Sequence, residues 1–162
     1  MKCAPAILVY GFGNPGREDD GAGIALAERI EAAALPGVAV ETNYQLNVED
    51  ALLLCGYDAV IFADASRNPI GQFLFRRLTP ASIITFTTHA MQPESVLALS
   101  QQLYQAAPAA YLLELGGTSY DLREVLTAEA AKNIAAAGAF LLKLLRQPSI
   151  ADFEAAASLH YR

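Results

Sequence analysis

The chain has 162 residues, of which 54% are hydrophobic and 17% charged, and these values predict one globular domain with one core. Its net charge of −6 at pH 7 argues against a nucleic-acid-binding protein, which needs a basic surface for phosphates, and against docking on an anionic membrane. No apolar run reaches the roughly 18 residues of a membrane span. We therefore expect no nucleic-acid or membrane partner.

The first apolar segment, Cys3–Tyr10, follows Lys2 and has to be distinguished from a signal peptide. It runs directly into glycines and acidic residues without a plausible cleavage site, so we interpret it as a strand of a cytoplasmic protein. Cys3 and Cys55 form no C-x-x-C pattern, which predicts two buried thiols in a reducing compartment.

Apolar runs, helical periodicity and breaker residues predict the secondary-structure elements in chain order. The predicted elements are strand Ala6–Tyr10, helix Asp20–Ala34, strand Val38–Thr42, helix Val48–Cys55, strand Ala59–Ala63, strand Phe73–Leu78, helix Pro93–Gln105, strand Tyr111–Leu115 and helix Thr127–Arg146. Asn47 and Thr127 are the expected caps of the helices that follow them. Residues 1–147 are predicted to form the single domain, and residues 148–162 to be a tail or a short helix.

This order of elements predicts a three-layer α/β/α sandwich of the phosphorylase/hydrolase-like kind, with a five-stranded, mostly parallel sheet. The connection before Phe73–Leu78 is too short for a crossover, so this strand should be the antiparallel one. Ligands of such sheets bind at the carboxyl ends of the strands. That rule directs attention to the glycine loop after the first strand and to Asp64 after the third.

The glycine loop contains Gly11, Gly13 and Gly16 in the G-x-G-x-x-G spacing of a dinucleotide site, with Glu41 as a possible ribose acid. Pro15 removes a phosphate-binding N–H, and the three acidic residues that follow the loop would repel a pyrophosphate. A dinucleotide-binding protein is therefore the weaker alternative. The G-N-P-G string also resembles peptidyl-tRNA hydrolases, but their early histidine is missing here.

Three side chains that can bind a metal are predicted to converge on the strand ends. They are Asp19 or Asp20 at the start of the first helix, Asp64 after the third strand, and His89 before the Pro93 helix. Two carboxylates and one imidazole suit a divalent ion such as Ni²⁺ or Zn²⁺, and leave positions open for water or substrate. Each residue alone also has a plain structural reading as a cap, a loop acid or a solvated histidine.

Three segments resemble the hydrogenase maturation proteases. Gly11-Phe-Gly-Asn-Pro-Gly-Arg-Glu-Asp-Asp-Gly-Ala-Gly23 is similar to the family pattern G-x-G-N-x-x-x-x-D-(D/E)-G-x-G. Phe62-Ala63-Asp64-Ala65 resembles the family's strand-end D-A, and His89-Ala-Met-Gln-Pro-Glu-Ser95 resembles its H-x-x-x-P segment. The similarity runs in order from about residue 6 to about residue 105.

The resemblance implies an endopeptidase that cuts the C-terminal extension from a nickel-loaded hydrogenase large-subunit precursor. It implies that Asp20, Asp64 and His89 are the catalytic nickel ligands, although many members carry Glu where this chain has Asp20. Nickel would come with the substrate and bind the free protein weakly. Asp19 would support the ligands or cap the helix, and Gly11, Gly13, Asn14 and Asp19 would form the substrate loop. We expect a monomer.

One further alternative stays open at this point. A non-enzymatic metal-binding or protein-binding module could dock on the same large subunit without cutting it. No Ser/His/Asp or Cys/His arrangement offers a nucleophile, so any hydrolysis would be assisted by the metal, with Asp20 or Asp64 accepting the proton.

Overall fold

The computed structural model describes residues 3–68, 70–84 and 90–159. The strands are β1 (Ile7–Phe12), β2 (Val38–Asn43), β3 (Ala59–Ser66), β4 (Phe73–Leu78) and β5 (Ala109–Gly116). The α-helices are α1 (Ala22–Ala32), α2 (Asp50–Leu53), α3 (Pro93–Tyr104), α4 (Ala128–Leu145) and α5 (Ile150–Leu159). Single 3-10 turns precede α1 at Glu18–Gly21 and follow α2 at Leu54–Gly56.

The strands form one mixed sheet in the order β2-β1-β3-β5-β4. β1, β2, β3 and β5 are parallel, and β4 is antiparallel to β5. The predicted direction of β4 is therefore confirmed, and its neighbour is β5, which lies between β3 and β4. The register places Asp64 of β3 beside Glu114 of β5, at the carboxyl end of the sheet.

Two separate apolar layers cover the two faces of the sheet, because alternate strand residues point to opposite sides. Ile7, Ile61 and Leu113 pack with α1, α4 and α5 on one face. Leu8 and Val60 pack with α2 and α3 on the other face. This arrangement confirms the predicted three-layer α/β/α sandwich. Within the described part of the chain, no helix combines the length and hydropathy needed to cross a bilayer.

The start of α1 differs from the prediction of a helix that begins at Asp20. Glu18–Gly21 form a 3-10 turn first, and no side chain caps either this turn or α1. Asp19 and Asp20 therefore do not cap the helix. Their carboxylates accept hydrogen bonds from other backbone N–H groups, those of Thr118 and Thr127 for Asp19 and that of Asn14 for Asp20. At α4 the prediction is confirmed, since the Thr127 hydroxyl accepts a hydrogen bond from the backbone N–H of Ala130 at 3.2 Å.

The prediction that Asn47 caps the second helix is wrong. The backbone N–H of Asn47 instead donates to the carboxylate of Asp50 at 2.7 Å, and no side-chain cap is found at α2. The Tyr10 hydroxyl donates to the same carboxylate at 3.0 Å. Asp50 therefore ties the start of α2 to β1, and its carboxylate, rather than the Asn47 side chain, accepts a hydrogen bond from a backbone N–H at the start of the helix.

The prediction of two buried thiols is also wrong, since both Cys3 and Cys55 are exposed. Cys3 precedes the first strand, and Cys55 lies in the 3-10 turn that closes α2. Apolar composition around a cysteine indicates burial only when the residue lies inside a packed element, and neither does.

Residues 150–159 form a helix, which is one of the two structures expected for the C-terminal segment. Phe153 has no exposed surface and packs edge-on against Tyr111 of β5, with ring centroids 5.6 Å apart. The Tyr111 hydroxyl donates to Glu154 at 2.8 Å, and Arg77 of β4 pairs with the same carboxylate at 2.8 Å. α5 is thus packed on the β4–β5 edge of the sheet.

Candidate active site at the carboxyl ends of β1 and β3

Glycines bring the start of α1 against the carboxyl ends of β1 and β3. A Cβ at Gly23 would overlap the carbonyl oxygen of Ala63, the residue before Asp64. A Cβ at Gly11 would overlap the carbonyl oxygen of Gly23. Only glycine at these positions allows this backbone approach. The approach carries Asp20, which lies in the turn before α1, to the strand end where Asp64 lies.

The Asp20 carboxylate is oriented by the loop that precedes it. The backbone N–H of Asn14 donates to Asp20 at 2.9 Å, and the Asn14 side chain accepts from the N–H of Gly16 at 2.9 Å. Gly13 has a φ of 138°, and a Cβ there would overlap the carbonyl oxygen of Asp20. The G-N-P-G loop therefore holds a carboxylate, and Pro15 costs no hydrogen bond in this arrangement.

The Asp64 carboxyl lies in the same site and has a strongly perturbed acidity. Asp64 shares the sheet face of Phe62, two residues earlier, and is half-buried. Burial, together with the charges of Asp20 and Glu114, raises the pKa of Asp64 to about 7, against a hydrogen bond from the N–H of Ala65 that lowers it. A carboxyl with a pKa near neutrality can both accept and release a proton at physiological pH.

The two other acids of the motif hold the loop between β5 and α4. Asp19 has no exposed surface, and its carboxylate accepts hydrogen bonds from the backbone N–H groups of Thr118, Ser119 and Thr127 at 2.8, 3.2 and 2.8 Å. The Thr118 and Thr127 hydroxyls donate to it as well. Burial raises the pKa of Asp19, but these hydrogen bonds outweigh burial and leave it below its usual value.

Glu18 completes this attachment from the other side of the turn. Its carboxylate accepts hydrogen bonds from the Ser119 hydroxyl and from the Asp121 N–H, the latter at 3.1 Å. The backbone N–H of Glu18 donates to the carbonyl of Arg123 at 2.8 Å. We call residues 117–127 the anchored loop, because Glu18 and Asp19 fix it to the turn that carries Asp20.

The anchored loop places Tyr120 beside the two carboxylates, a position that the sequence did not indicate. The Tyr120 hydroxyl donates to the carbonyl of Ser66, at the end of β3, at 2.8 Å. The Arg67 guanidinium lies 4.0 Å from the centre of the Tyr120 ring. Burial raises the pKa of Tyr120, and the charges of Asp20 and Asp64 add to the rise while Arg67 opposes it. Tyr120 therefore forms a wall of the site.

Asp20 and Asp64 lie close enough for the charge of Asp20 to raise the pKa of Asp64, but the structure does not test the third proposed ligand. His89 lies outside the described residues. Among the residues that the structure does describe, no three His, Cys, Asp or Glu side chains form a cluster that could hold a metal. The metal-ligand set of Asp20, Asp64 and His89 therefore stays a prediction.

The residues expected to contact a substrate have packing roles within the chain. The chain's own backbone and the Ala27 side chain fill the space beside Gly11 and Gly13, and Asp19 is fully enclosed by the anchored loop. Asn14 is half-buried and orients Asp20. These roles explain the motif without a bound nucleotide. A cleft of about 550 Å³ lies away from this site, at the amino ends of the strands, between Asp58 and Ile150.

Replacing Asp19 with asparagine should destabilise the protein by about 3 kcal/mol, because an amide cannot accept all the hydrogen bonds that this buried carboxylate receives. The measurement is the free energy of unfolding in urea at pH 7. Glu124→Gln, an exposed change in the same loop, is the matched control. A loss below about 1 kcal/mol would mean that the Asp19 contacts contribute little net stability.

The raised pKa of Asp64 predicts a pH dependence of stability in the metal-free protein. The folded protein keeps a proton that the unfolded chain releases near pH 4, so this carboxyl lowers the free energy of unfolding as pH rises from about 4 to about 7. The free energy of unfolding of Asp64→Asn, minus that of the wild type, should therefore be larger at pH 8 than at pH 5 by at least about 1 kcal/mol. Urea unfolding at both values tests this. An equal difference at both pH values would contradict the raised pKa.

Solved structures with this fold are found, although no protein-family model and no curated protein sequence matches the chain. One is the NiFe hydrogenase maturation protease HycI from Thermococcus kodakarensis KOD1, which is 21% identical with a TM-score of 0.71 over 88% of this chain and 94% of its own. A second is the hydrogenase maturating endopeptidase HybD from E. coli, at 22% identity and a TM-score of 0.68, covering 86% of this chain and 91% of that one.

A third is the hydrogenase 2 maturation peptidase from Thaumarchaeota archaeon SCGC_AB-539-E09, at 23% identity and a TM-score of 0.62. The match covers 86% of this chain and 97% of that one. The similarity extends over nearly the whole of each chain. The protein therefore has the fold of these maturation proteases.

Proposed function

We propose that this chain is a hydrogenase maturation endopeptidase, which removes the C-terminal extension from a nickel-loaded large-subunit precursor. The observation that carries the proposal is the proximity of Asp20, in the turn before α1, to Asp64, near the carboxyl end of β3. The similarity in fold to named maturation proteases supports it independently. The sequence resemblance around Gly11–Gly23, Asp64 and His89 is a further support, because two of these segments contain the carboxylates of the site.

In the proposed reaction, Asp64 accepts the proton of the water that attacks the scissile carbonyl. In the metal-free site the pKa of Asp64 is about 7, so this carboxyl exchanges a proton near neutral pH, and a bound cation would lower the pKa and favour the ionised form that accepts the proton. Asp20, held by the Asn14 N–H, contributes negative charge beside Asp64. Tyr120 is held near both carboxylates by its hydrogen bond to the carbonyl of Ser66.

Nickel is proposed to arrive with the substrate and to be recognised by Asp20, Asp64 and His89. The donor chemistry fits, since two neighbouring carboxylates, one of them with a raised pKa, form a site that a cation would stabilise. When bound, the ion would supply Lewis-acid polarisation of the scissile carbonyl or of a water. Without a thiolate, this set is a weak nickel site on its own, whereas cysteine thiolates on the partner would bind nickel far better.

Cleavage distinguishes the proposed enzyme from a module that docks on the large subunit without cutting it. The purified protein is incubated with an unprocessed, nickel-loaded precursor, and the mixture is run on a denaturing gel. A shift of the large subunit to lower mass means cleavage. Stable co-elution of the two proteins without a shift would favour the binding module. We expect dinucleotides to leave the melting temperature unchanged. A rise in melting temperature with a dinucleotide would favour the nucleotide-binding alternative.

Cleavage should also depend on nickel in the precursor. We expect no processing of nickel-free precursor under chelation, and processing once nickel is inserted, because Asp20, Asp64 and His89 would bind substrate through the ion. Calorimetry with the isolated protein should detect weak nickel binding or none. Efficient cutting of nickel-free precursor would remove nickel from the mechanism and leave the peptidase assignment standing.

A further inference from the structure

A second cleft, of about 400 Å³, opens at the carboxyl ends of β3 and β5, on the side of α4. It lies between the β3–β4 connection, the end of β5 and the first turns of α4. Residues that line it include Arg67, Gln72, Gly117, Glu129 and Asn133. The cleft reaches the strand end that carries Asp64, because the N–H of Gly117, which lines the cleft, donates to the carbonyl of Ser66 at 3.3 Å, two residues after Asp64. Its volume is in the range of ligand-binding clefts.

Asn133 gives the cleft a buried hydrogen-bond acceptor that has no partner among the described residues. The side chain is 3% exposed, and its Nδ2 donates to the carbonyl of Gly116 at 2.8 Å. Its Oδ1 is buried without a hydrogen bond. An unpaired buried amide oxygen costs free energy, and native proteins rarely keep one without a reason. A ligand that brings an N–H into this cleft would satisfy it.

Arg67 gives the same cleft a positive charge in a fixed position. Its guanidinium stacks on the ring of Tyr120, which is itself held by the carbonyl of Ser66. No carboxylate forms a salt bridge with Arg67 within the described part of the chain. Stacking on an aromatic ring restricts a guanidinium while leaving its edge donors available for a carbonyl or carboxylate oxygen.

We propose that this cleft is a subsite for the polypeptide segment next to the scissile bond, bound in an extended form. A peptide backbone offers both groups that the cleft lacks, an N–H for Asn133 Oδ1 and a carbonyl oxygen for Arg67. A simple anion would satisfy Arg67 alone and leave Asn133 unpaired. The proposal rests on the proposed function and deepens it, since it places a segment of the substrate chain on the α4 side of the end of β3, where Arg67 follows Asp64 by three residues.

The test is steady-state cleavage of the nickel-loaded precursor by wild type, Arg67→Gln and Asn133→Ala. We expect each variant to raise KM about tenfold with kcat changed less than about twofold, because each removes a contact made equally before and during the reaction. Arg77→Gln, which removes a different partly exposed arginine on the α5 side, should match wild type. Arg67 is exposed, so its variant should fold even if loss of the Asn133 bond to Gly116 destabilises the other.

A second readout uses a synthetic peptide with the sequence of the precursor's C-terminal extension as a competitor. It should inhibit wild type more strongly than Arg67→Gln by a similar factor. If both variants kept the KM of the wild type and its sensitivity to the peptide, the subsite would be overturned and the peptidase assignment would stand. A fall in kcat with unchanged KM would also overturn it. A wild-type protein that fails to cut the precursor would overturn the proposed function and the subsite together.

Discussion

Asp64→Asn should lose at least about 100-fold in the rate of precursor processing while the protein stays folded. The change removes the group proposed to accept a proton and to bind the ion, but it removes no core volume. Because burial raises the pKa of Asp64, the neutral amide should also be tolerated in the folded state. The measurement is single-turnover cleavage of nickel-loaded precursor, with circular dichroism as the check of folding.

The matched control is Asp58→Asn, an exposed aspartate just before the amino end of the same strand. It should process precursor at the wild-type rate. Asp20→Asn and His89→Ala should fail as Asp64→Asn does. Wild-type cleavage by any of these three would remove that residue from the proposed ligand set, and wild-type cleavage by Asp64→Asn would remove its proton-accepting role as well.

Truncation after Gln147 should abolish cooperative folding or lower stability by more than about 4 kcal/mol. The sequence alone suggested that residues 148–162 are dispensable, since the predicted ligands and strands all precede them. The structure gives the opposite expectation, because deletion of α5 exposes the faces of Tyr111 and Phe75 that it helps to cover. Loss of the buried Phe153 alone would cost about 3 kcal/mol.

Thermal unfolding of the truncated chain measures this loss, with Phe153→Ala as a milder version of the same change. Asp152→Asn, an exposed substitution one residue earlier, should unfold as the wild type does. A truncated protein with an unchanged cooperative transition would show that α5 contributes little to the packed domain.

The inner strands β1, β3 and β5 could be predicted from the sequence because they are buried on both faces, and such strands are continuous apolar runs. The antiparallel edge strand Phe73–Leu78 could be predicted with its observed bounds as well. β3 continues three residues beyond its predicted end, from Ala63 to Ser66. Pairing with β5 extends it through Asp64 and Ala65, and hydrophobic patterning carries no information on such pairing.

The convergence of Asp20 and Asp64 was predictable for a topological reason, since parallel strands bring their carboxyl ends to one edge. The different roles of Asp19 and Glu18 were not predictable. Asp19 is bound by residues 99 to 108 positions away, and such contacts leave no periodic signal in the sequence. Tyr120 and Arg67 were missed for the same reason, because tertiary contacts alone bring the anchored loop to the end of β3.

Intact-mass measurement of a nickel-loaded large-subunit precursor, before and after incubation with this protein, tests the central claim most directly. The account predicts two products whose masses sum to the precursor plus one water, the smaller being a single C-terminal fragment. It also predicts that Asp64→Asn leaves the precursor mass unchanged. A precursor that keeps its mass with folded wild-type protein, or that loses the fragment equally with Asp64→Asn, would contradict the account.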